Sequence, residues 1–224
     1  MHRRGLLVSG RGAFPVARVQ AELRQGLAGL DPALNTAELA TALTEFLREL
    51  QRWNRAYNLT AVRDPLAMVA RHVLDACTVN PWVAGPRVLD VGTGAGVPGL
   101  PLALLHPELR FTLLDSNGKK TRFVTHAAAH LRLGNVDVVQ ARVEDFAAEP
   151  FATVVCRAFT TLADFVGGAA HLLAAGGALV AMKGRYPEAE LNAVPAGWRV
   201  AECAPVQVPG LESERHIVVL RRAG

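Results

Sequence analysis

The chain has few of the residues that would place it among disulfide-rich, metal-binding or membrane proteins. Its 224 residues include only three cysteines, Cys77, Cys156 and Cys203, which are too isolated for a disulfide framework or a cysteine metal cluster. No apolar run approaches the ~18 residues that a membrane-spanning helix needs, and we expect no secretory signal. Internal repeats and low-complexity tracts are also absent. We therefore predict a cytoplasmic protein with no metal and no membrane partner.

Lysine is also scarce, although the overall charge is basic. The net charge is +4, and the first 24 residues hold five arginines against one glutamate. The only lysines are Lys119, Lys120 and Lys183. This balance is compatible with a nucleic-acid partner and equally with an ordinary solvated surface. Half of the residues are hydrophobic, so one large α/β domain with a modest extension fits this length.

The segment from Arg87 to Gly99 is the most informative part of the sequence. A short apolar run resembling a buried parallel strand is followed by four glycines, and Pro98 can occupy the first position of a helix. The glycines are Gly92, Gly94, Gly96 and Gly99. A strand, a glycine-rich turn and a helix let a ligand approach bare backbone at the carboxyl end of a sheet.

Three interpretations of this turn remain open. Starting at Gly94, the sequence satisfies G-x-G-x-x-G, which suggests a dinucleotide, but that register begins two residues after the strand ends. Starting at Asp90, it reads D-x-G-x-G-x-G and resembles the first motif of class I methyltransferases, which bind S-adenosylmethionine. An acidic strand end suits that cationic ligand better than a pyrophosphate. The turn could also serve only to pack a helix against a strand.

A second acidic strand end supports a nucleoside ligand. The run 110–114 is typical of a strand and ends at Asp115, about 20 residues beyond the glycines, where Rossmann-like folds place a ribose-binding carboxylate. A carboxylate can accept hydrogen bonds from two hydroxyl groups at once. The alternative is that Asp115 and Ser116 cap a helix predicted over 119–133.

The rest of the chain divides into a helical part and an alternating part. Helices are predicted over 15–30, from a capping box formed by Asn35 and Glu38, and from Asp64-Pro65 to Asn80-Pro81. From residue 85, strands and helices alternate, which predicts a mainly parallel, doubly wound sheet whose last strands pair antiparallel. Gly176-Gly177 is predicted to stop a helix. The predicted strands are 87–91, 110–114, 136–140, 152–157, 178–183, 198–206 and 216–221.

An ordered set of motifs makes the resemblance specific. The chain resembles the RsmG family, also called glucose-inhibited division protein B, from about Trp53 to Leu220. The motifs are W-N-R-A-Y-N-L-T-A-V-R-D-P (53–65), R-H-V-L-D (71–75), D-V-G-T-G-A-G-V-P-G (90–99), L-L-D-S-N-G-K-K (113–120), R-V-E-D-F (142–146), C-R-A-F (156–159), K-G (183–184) and E-R-H-I-V-V (214–219). The resemblance implies transfer of a methyl group from S-adenosylmethionine to N7 of guanine 527 in 16S rRNA, with the rRNA or the small ribosomal subunit as partner. It also implies an N-terminal helical extension and cap over 1–83, followed by a class I methyltransferase domain with a seven-stranded sheet over 84–224.

The resemblance also implies a set of cofactor-binding residues. The family's contacts fall on Gly92, Val97, Val143, Glu144 and Arg157, beside the acidic and glycine positions named above: Asp90, Gly94, Gly96, Asp115 and Ser116. Val97 is smaller than the residue expected there, and Cys156 stands where serine is usual. The first fifteen residues have no recognised counterpart; they are either a basic arm for RNA or the product of a translation start placed too early.

The implied chemistry needs no catalytic base. Guanine N7 presents a lone pair and carries no proton, so the methyl group can be displaced directly and no catalytic residue is predicted. Cys156 lies in an apolar strand and is expected to be a buried thiol. Arg157 is expected to contact the cofactor carboxylate or an RNA phosphate, the alternative being a salt bridge to Asp90 or Glu144. The candidates for RNA contact are Lys119, Lys120, Arg122, Lys183 and Arg185, each of which could equally be a solvated charge.

Two other functions remain open at this stage. A small-molecule methyltransferase on the same fold would need a closed lid over an apolar pocket. An RNA-binding module with a vestigial cofactor site would bind RNA without binding S-adenosylmethionine. His72 and His216 lie in apolar surroundings and are expected to be structural.

Overall fold

The computed structural model describes residues 13–157 and 161–224, which form one mixed sheet flanked by helices. The α-helices are α1 (Val16–Leu30), α2 (Ala37–Tyr57), α3 (Pro65–Met68), α4 (Asp75–Cys77), α5 (Gly99–Leu105), α6 (Gly118–His130), α7 (Leu162–Ala169) and α8 (Glu188–Asn192). The strands are β1 (Arg87–Val91), β2 (Arg110–Asp115), β3 (Val136–Gln140), β4 (Phe151–Arg157), β5 (Leu173–Lys183), β6 (Trp198–Pro205) and β7 (His216–Arg222).

The sheet has the strand order β3-β2-β1-β4-β5-β7-β6. The first five strands pair in parallel, and β7 runs antiparallel to both β5 and β6. This confirms the predicted class I methyltransferase fold with an antiparallel last strand. Because parallel strands end at one edge of a sheet, the residues that follow β1 to β4 are brought together there.

The helical N-terminal part shares a hydrophobic core with one face of the sheet. One cluster of buried side chains runs from Leu23 of α1 and Phe46 of α2 to Val88 of β1 and Ile217 of β7. The long amphipathic stripe of α2 explains its position, because a continuous apolar face must be covered. A second cluster, which includes Phe165 of α7, covers the opposite face of the sheet. The predicted boundary near residue 84 therefore lies within a shared core, and it stays a prediction.

Several predicted element ends are wrong by one to five residues. Helix α2 is capped by Thr36, whose Oγ1 accepts a hydrogen bond from the Leu39 N–H, and not by Asn35. Asn35 instead accepts a hydrogen bond from Arg24. Pro98 caps α5, which begins one residue later than predicted. Helix α6 is capped by Asn117 rather than by Asp115 or Ser116.

The Gly176-Gly177 pair is a larger correction. It lies inside β5 and does not stop a helix, because α7 and the short 3₁₀ turn Ala170–Leu172 already end before it. A Cβ on Gly177 would lie 2.8 Å from the Ala152 carbonyl oxygen, so the glycine permits close contact with β4 where the register shifts. A glycine inside a strand can mark such a close approach as well as a helix end.

The segment after α3 is wound more widely than an α-helix. Residues Val69–Leu74 form a π-helical turn between α3 and α4. Such turns are rare and occur frequently at functional sites.

In the described residues no helix is both long and apolar enough to cross a bilayer. No group of three or more metal-binding side chains occurs in those residues either.

Candidate active site

A cavity of about 400 Å³ lies at the carboxyl edge of the sheet, where β1, β2 and β4 end and where the chain leaves β3. Its volume falls within the range of small-molecule sites. The wall combines apolar, acidic and basic side chains. It is lined by Val91, Gly92, Leu114, Asp115, Ser116, Lys120, Ala141, Arg142, Val143, Glu144 and Arg157.

The glycines after β1 have two different roles. Gly92 has a φ of +69°, and among the described residues no atom lies within 4 Å of a Cβ built on it, so this residue leaves space on the cavity side. Gly96 has a φ of +78°, but its Cβ would lie 2.4 Å from a Leu100 methyl group. Gly92 therefore gives a ligand access to the backbone, whereas Gly96 allows α5 to pack against the turn.

Most backbone N–H groups of the turn already donate hydrogen bonds within the protein. Gly92 and Thr93 donate to the Leu114 carbonyl, and Gly96 donates to the Thr93 carbonyl. Carboxylates accept two more of these bonds, since Gly94 donates to Asp115 and Gly99 donates to Asp90. A phosphate cradle needs free N–H donors and no competing negative charge. The turn therefore does not suit the pyrophosphate of a dinucleotide.

Asp90 is buried beneath the turn and does not line the cavity. Its Oδ2 accepts hydrogen bonds from Thr93 Oγ1 at 2.6 Å and from the Gly99 N–H at 2.9 Å. Its Oδ1 has no hydrogen-bond partner among the described residues. Burial raises the pKa of Asp90 to about 6, and the hydrogen bonds from Thr93 and Gly99, followed by the charge of Arg157, oppose that rise. Asp90 thus shapes the turn from beneath, and its predicted role in binding a cofactor stays a prediction.

Asp115, the last residue of β2, lines the cavity. Its Oδ2 accepts a hydrogen bond from the Gly94 N–H at 2.9 Å, and its Oδ1 accepts one from the Asn117 N–H at 2.8 Å. Lys120 lies 3.6 Å from the same Oδ2. Each carboxylate oxygen has a second lone pair, so the fixed side chain can still accept bonds from two vicinal hydroxyl groups.

The turn after β3 supplies an apolar surface beside a carboxylate. Val143 is buried and Glu144 is exposed at the start of the 3₁₀ turn Val143–Asp145, and both line the cavity. An apolar side chain next to hydrogen-bonding groups suits a planar heterocycle, which has apolar faces and polar edges. Arg142 precedes this pair and also lines the cavity.

Arg157, at the end of β4, also lines the cavity, and its ion-pair partner is Asp75. Its Nη1 lies 3.6 Å from Oδ2 of Asp75 and donates to the Arg71 carbonyl at 3.1 Å. The salt bridge to Asp90 or Glu144, which is the alternative to a ligand contact, is not formed; the π-helical turn instead brings Asp75 and the Arg71 carbonyl against β4. Burial lowers the pKa of Arg157, and the charge of Asp75 opposes that shift.

The structure brings together six of the ten predicted cofactor-binding residues. They are Gly92, Asp115, Ser116, Val143, Glu144 and Arg157. Four others, Asp90, Gly94, Gly96 and Val97, lie in or under the turn and do not line the cavity; Val97 is buried in the core. Sequence reasoning missed Val91, Leu114, Ala141 and Arg142 as lining residues. Their positions at or just after strand ends could have identified them, because this edge of the sheet carries the site.

The predicted RNA-binding residues divide into two groups. Lys183 ends β5, but its Nζ lies 2.7 Å from Glu190 Oε2 and its side chain is largely buried. Lys120 faces the cavity and pairs with Asp115. Lys119, Arg122 and Arg185 are exposed, and none of them has an ion-pair partner among the described residues. Three exposed cations thus remain available on the rim, while the predicted basic arm falls mostly on residues 1–12, outside the described residues.

The histidines and cysteines agree with structural roles. The rings of His72 and His216 have polar partners: His72 Nε2 lies 2.9 Å from Thr60 Oγ1, and His216 Nδ1 lies 2.9 Å from the Gly184 carbonyl oxygen. Burial lowers the pKa of His72 to about 4, so the ring is neutral near pH 7. Cys156 is buried, as predicted. Burial raises the pKa of Cys77 to about 12, which excludes a reactive thiolate there.

Comparison with known proteins identifies the family. A profile described as GidB, rRNA small subunit methyltransferase G, matches residues 39–218, which is most of the chain. The chain belongs to the rRNA small subunit methyltransferase G family. A family member of that name from Xanthomonas axonopodis pv. citri (strain 306) is 50% identical over 196 residues, covering 87% of this chain and 92% of the relative. Another from Marinobacter nauticus (strain ATCC 700491 / DSM 11845 / VT8) is 48% identical over 203 residues, covering 90% and 94%.

A solved structure supports the fold assignment. The glycopeptide N-methyltransferase MtfA, crystallised with S-adenosyl-L-homocysteine, matches with a TM-score of 0.58 at 14% sequence identity. The match covers 69% of this chain and 88% of that one. At this identity the likeness concerns the fold alone. The family membership, in contrast, extends through the motifs that surround the cavity.

Proposed function

We propose that this chain transfers a methyl group from S-adenosylmethionine to N7 of guanine 527 in 16S rRNA of the small ribosomal subunit. Membership of the rRNA small subunit methyltransferase G family supports the rRNA substrate. The position and the atom follow from the motif resemblance. A cytoplasmic location is the expectation that goes with a ribosomal substrate. The observation that carries the proposal is the cavity at the sheet edge, whose wall fits a sulfonium nucleoside.

The fit rests on the chemistry of each wall. Asp115 can accept bonds from the ribose hydroxyl groups, and Val143 with Glu144 can contact the adenine. Arg157 can hold the carboxylate of the methionine part through a charge-assisted bond. Asp90 has a buried, unpartnered oxygen, and a cation brought into the adjoining cavity would stabilise its charge through space.

The residues around the cavity act by binding and alignment. The cofactor supplies an electrophilic methyl group on sulfur, and guanine N7 offers a lone pair without a proton to remove. The protein therefore has to hold the methyl group in line with N7 and exclude water. Such positioning can contribute about 7–11 kcal/mol to lowering a barrier in favourable cases. No general base is required for this reaction, and the Asp115 carboxylate already accepts two backbone hydrogen bonds.

The test uses small subunits purified from a strain that lacks this protein. They are incubated with the purified chain and labelled S-adenosylmethionine, with bare 16S rRNA in parallel. N7-methylguanine is labile to borohydride reduction followed by aniline, so the rRNA should break at position 527 only after incubation. Incorporation of label without scission at that position would contradict the N7 assignment. The absence of label from both RNA substrates, with cofactor binding intact, would contradict the rRNA substrate.

A further inference from the structure

The motif R-H-V-L-D, residues 71–75, has no role in the proposed chemistry, and its carboxylate has an unusual setting. Asp75 begins α4, directly after the π-helical turn, and does not line the cavity. Its side chain is only 6% exposed. A buried carboxylate is costly unless neighbouring cations and hydrogen bonds compensate it.

Two arginines from distant parts of the sequence provide this compensation. Arg215 donates from Nε to Oδ1 of Asp75 at 2.8 Å, and Arg157 Nη1 lies 3.6 Å from the other oxygen, Oδ2. Arg215 is held further by Ser213 and the Glu214 carbonyl. Asp75 is thus anchored on one side by the short, well-aligned Arg215 bond. Its second oxygen is directed at the guanidinium of Arg157.

Arg157 is the member of this group that reaches the cavity. Its guanidinium has five N–H donors. Those on Nη1 are turned towards Asp75 and the Arg71 carbonyl. Burial lowers its pKa, and among the opposing effects the charge of Asp75 is the largest, followed by that of Asp90. Among the described residues, the charge of Arg215 opposes that of Arg157, and His72, which is also close to Arg157, is neutral near pH 7. Asp75, 3.6 Å from Nη1, is therefore the main carboxylate partner of the partly buried Arg157 guanidinium.

We propose that Asp75 is a positioning residue that fixes the Arg157 guanidinium at the cavity wall, ready to receive the cofactor carboxylate. The inference rests on the proposed function, because it takes Arg157 as the carboxylate contact. It explains why three separate motifs, containing Arg71 and Asp75, Arg157, and Arg215, converge at one point. Without Asp75, only the Arg71 carbonyl would hold Nη1 of Arg157, and the guanidinium would no longer be fixed at the cavity wall.

The test compares Asp75→Asn with Glu49→Gln in the full-length protein. Glu49 is an equally buried carboxylate that pairs with Arg52 and His126 between α2 and α6, away from the cavity. Affinity for S-adenosylhomocysteine is measured by calorimetry, and kcat and KM are measured on small subunits. Asp75→Asn should weaken the affinity and raise the KM for S-adenosylmethionine about tenfold, with kcat within twofold, because alignment of bound cofactor is retained. Glu49→Gln should leave the affinity, the KM and the kcat within twofold of the wild-type values.

A double-mutant cycle separates positioning from general support of the fold. In an Arg157→Met background, Asp75→Asn should change the affinity less than twofold, because the arginine through which it acts is gone. If the affinity loss of the double variant equals the product of the losses of the two single variants, the inference is overturned. Normal affinity in Asp75→Asn alone would overturn it as well. If Asp75→Asn does not fold, Asp75→Glu is used instead, because it keeps the charge but moves it by one methylene group. Its effect on affinity is compared in the wild-type and Arg157→Met backgrounds in the same way. A wild-type protein that binds no S-adenosylhomocysteine would instead overturn the proposed function.

Discussion

The backbone N–H of Gly94 donates to Oδ2 of Asp115 at 2.9 Å, which ties the turn after β1 to the end of β2. The carboxylate thereby holds two walls of the cavity in a fixed relation. It also places negative charge beside backbone N–H groups that a phosphate would otherwise occupy. One side chain thus shapes the site and excludes one class of ligand.

Substitution of Asp115 by asparagine should reduce cofactor affinity. Asp115→Asn keeps the shape of the side chain but removes the charge and one of the two oxygen acceptors. A hydrogen bond to a charged group contributes about 1.5–3 kcal/mol, so affinity for S-adenosylhomocysteine should fall about tenfold to a hundredfold. Calorimetry measures this directly. Asp137→Asn makes the same substitution at an exposed position of β3 away from the cavity, and it should bind normally.

Two glycines of the turn should respond differently to alanine. Gly92→Ala and Gly96→Ala both place a side chain at a positive φ, which costs on the order of 1 kcal/mol. Gly96→Ala adds a clash with Leu100 and should lose about 2–4 kcal/mol of unfolding free energy in total. Among the described residues none would contact the added methyl group of Gly92→Ala, so its larger defect should be in cofactor affinity. Urea unfolding and calorimetry on both variants check this; equal stability losses would show that the turn packs differently.

The pH dependence of stability should carry a signature of Asp90. Its pKa is raised from 3.8 to about 6 by burial, so the folded chain binds this proton more tightly than the unfolded chain. Stability contributed by the group is therefore lost as pH rises from about 4 to about 6, by up to about 3 kcal/mol. Asp90→Asn does not titrate. The unfolding free energy of wild type minus that of Asp90→Asn should fall over this range and stay constant above about pH 7.

That difference is measured by urea unfolding at steps between about pH 4 and pH 8, because the subtraction removes the titration of all other groups. A difference that rises with pH would mean that the charged form of Asp90 is stabilised in the folded protein. The unpartnered Oδ1 would then have a partner in solution.

The exposed cations near the cavity should control subunit binding without affecting the cofactor. Lys119→Ala and Arg122→Ala remove charges from the exposed side of α6, which starts beside the cavity. Each should weaken binding to small subunits and reduce the slope of log affinity against log salt by about 0.7–0.9. Affinity for S-adenosylhomocysteine should remain unchanged. Arg199→Ala, on the far edge strand β6, is the control, and an equal loss there would point to non-specific attraction.

The sequence predicts the parts of this site that depend on strand ends. Asp115, Val143, Glu144 and Arg157 each follow or end a predicted strand, and parallel pairing is sufficient to gather them at one edge. Asp90 is the last residue but one of β1, and residues alternate between the two faces of a sheet. Its side chain therefore lies beneath the turn on the α5 side.

The partner of Arg157 could not be predicted in this way. Asp75 reaches β4 only because the helical part folds back over the sheet and because a π-helical turn precedes it. Neither feature has a local sequence signal comparable to a cap or a glycine turn. The errors at helix starts have a simpler cause, since Asn35 and Thr36 are both good caps and only packing decides between them.

The core shared by the helices and the sheet has a consequence for how the protein can be divided. Val88, Phe111 and Ile217 are covered by side chains of the same cluster that contains Leu23 and Phe46. A fragment starting near residue 84 would expose this apolar face of the sheet to water and lose Asp75 with it. Such a truncated chain should aggregate rather than behave as a minimal enzyme, so the smallest functional unit includes the helices that precede the glycine-rich turn.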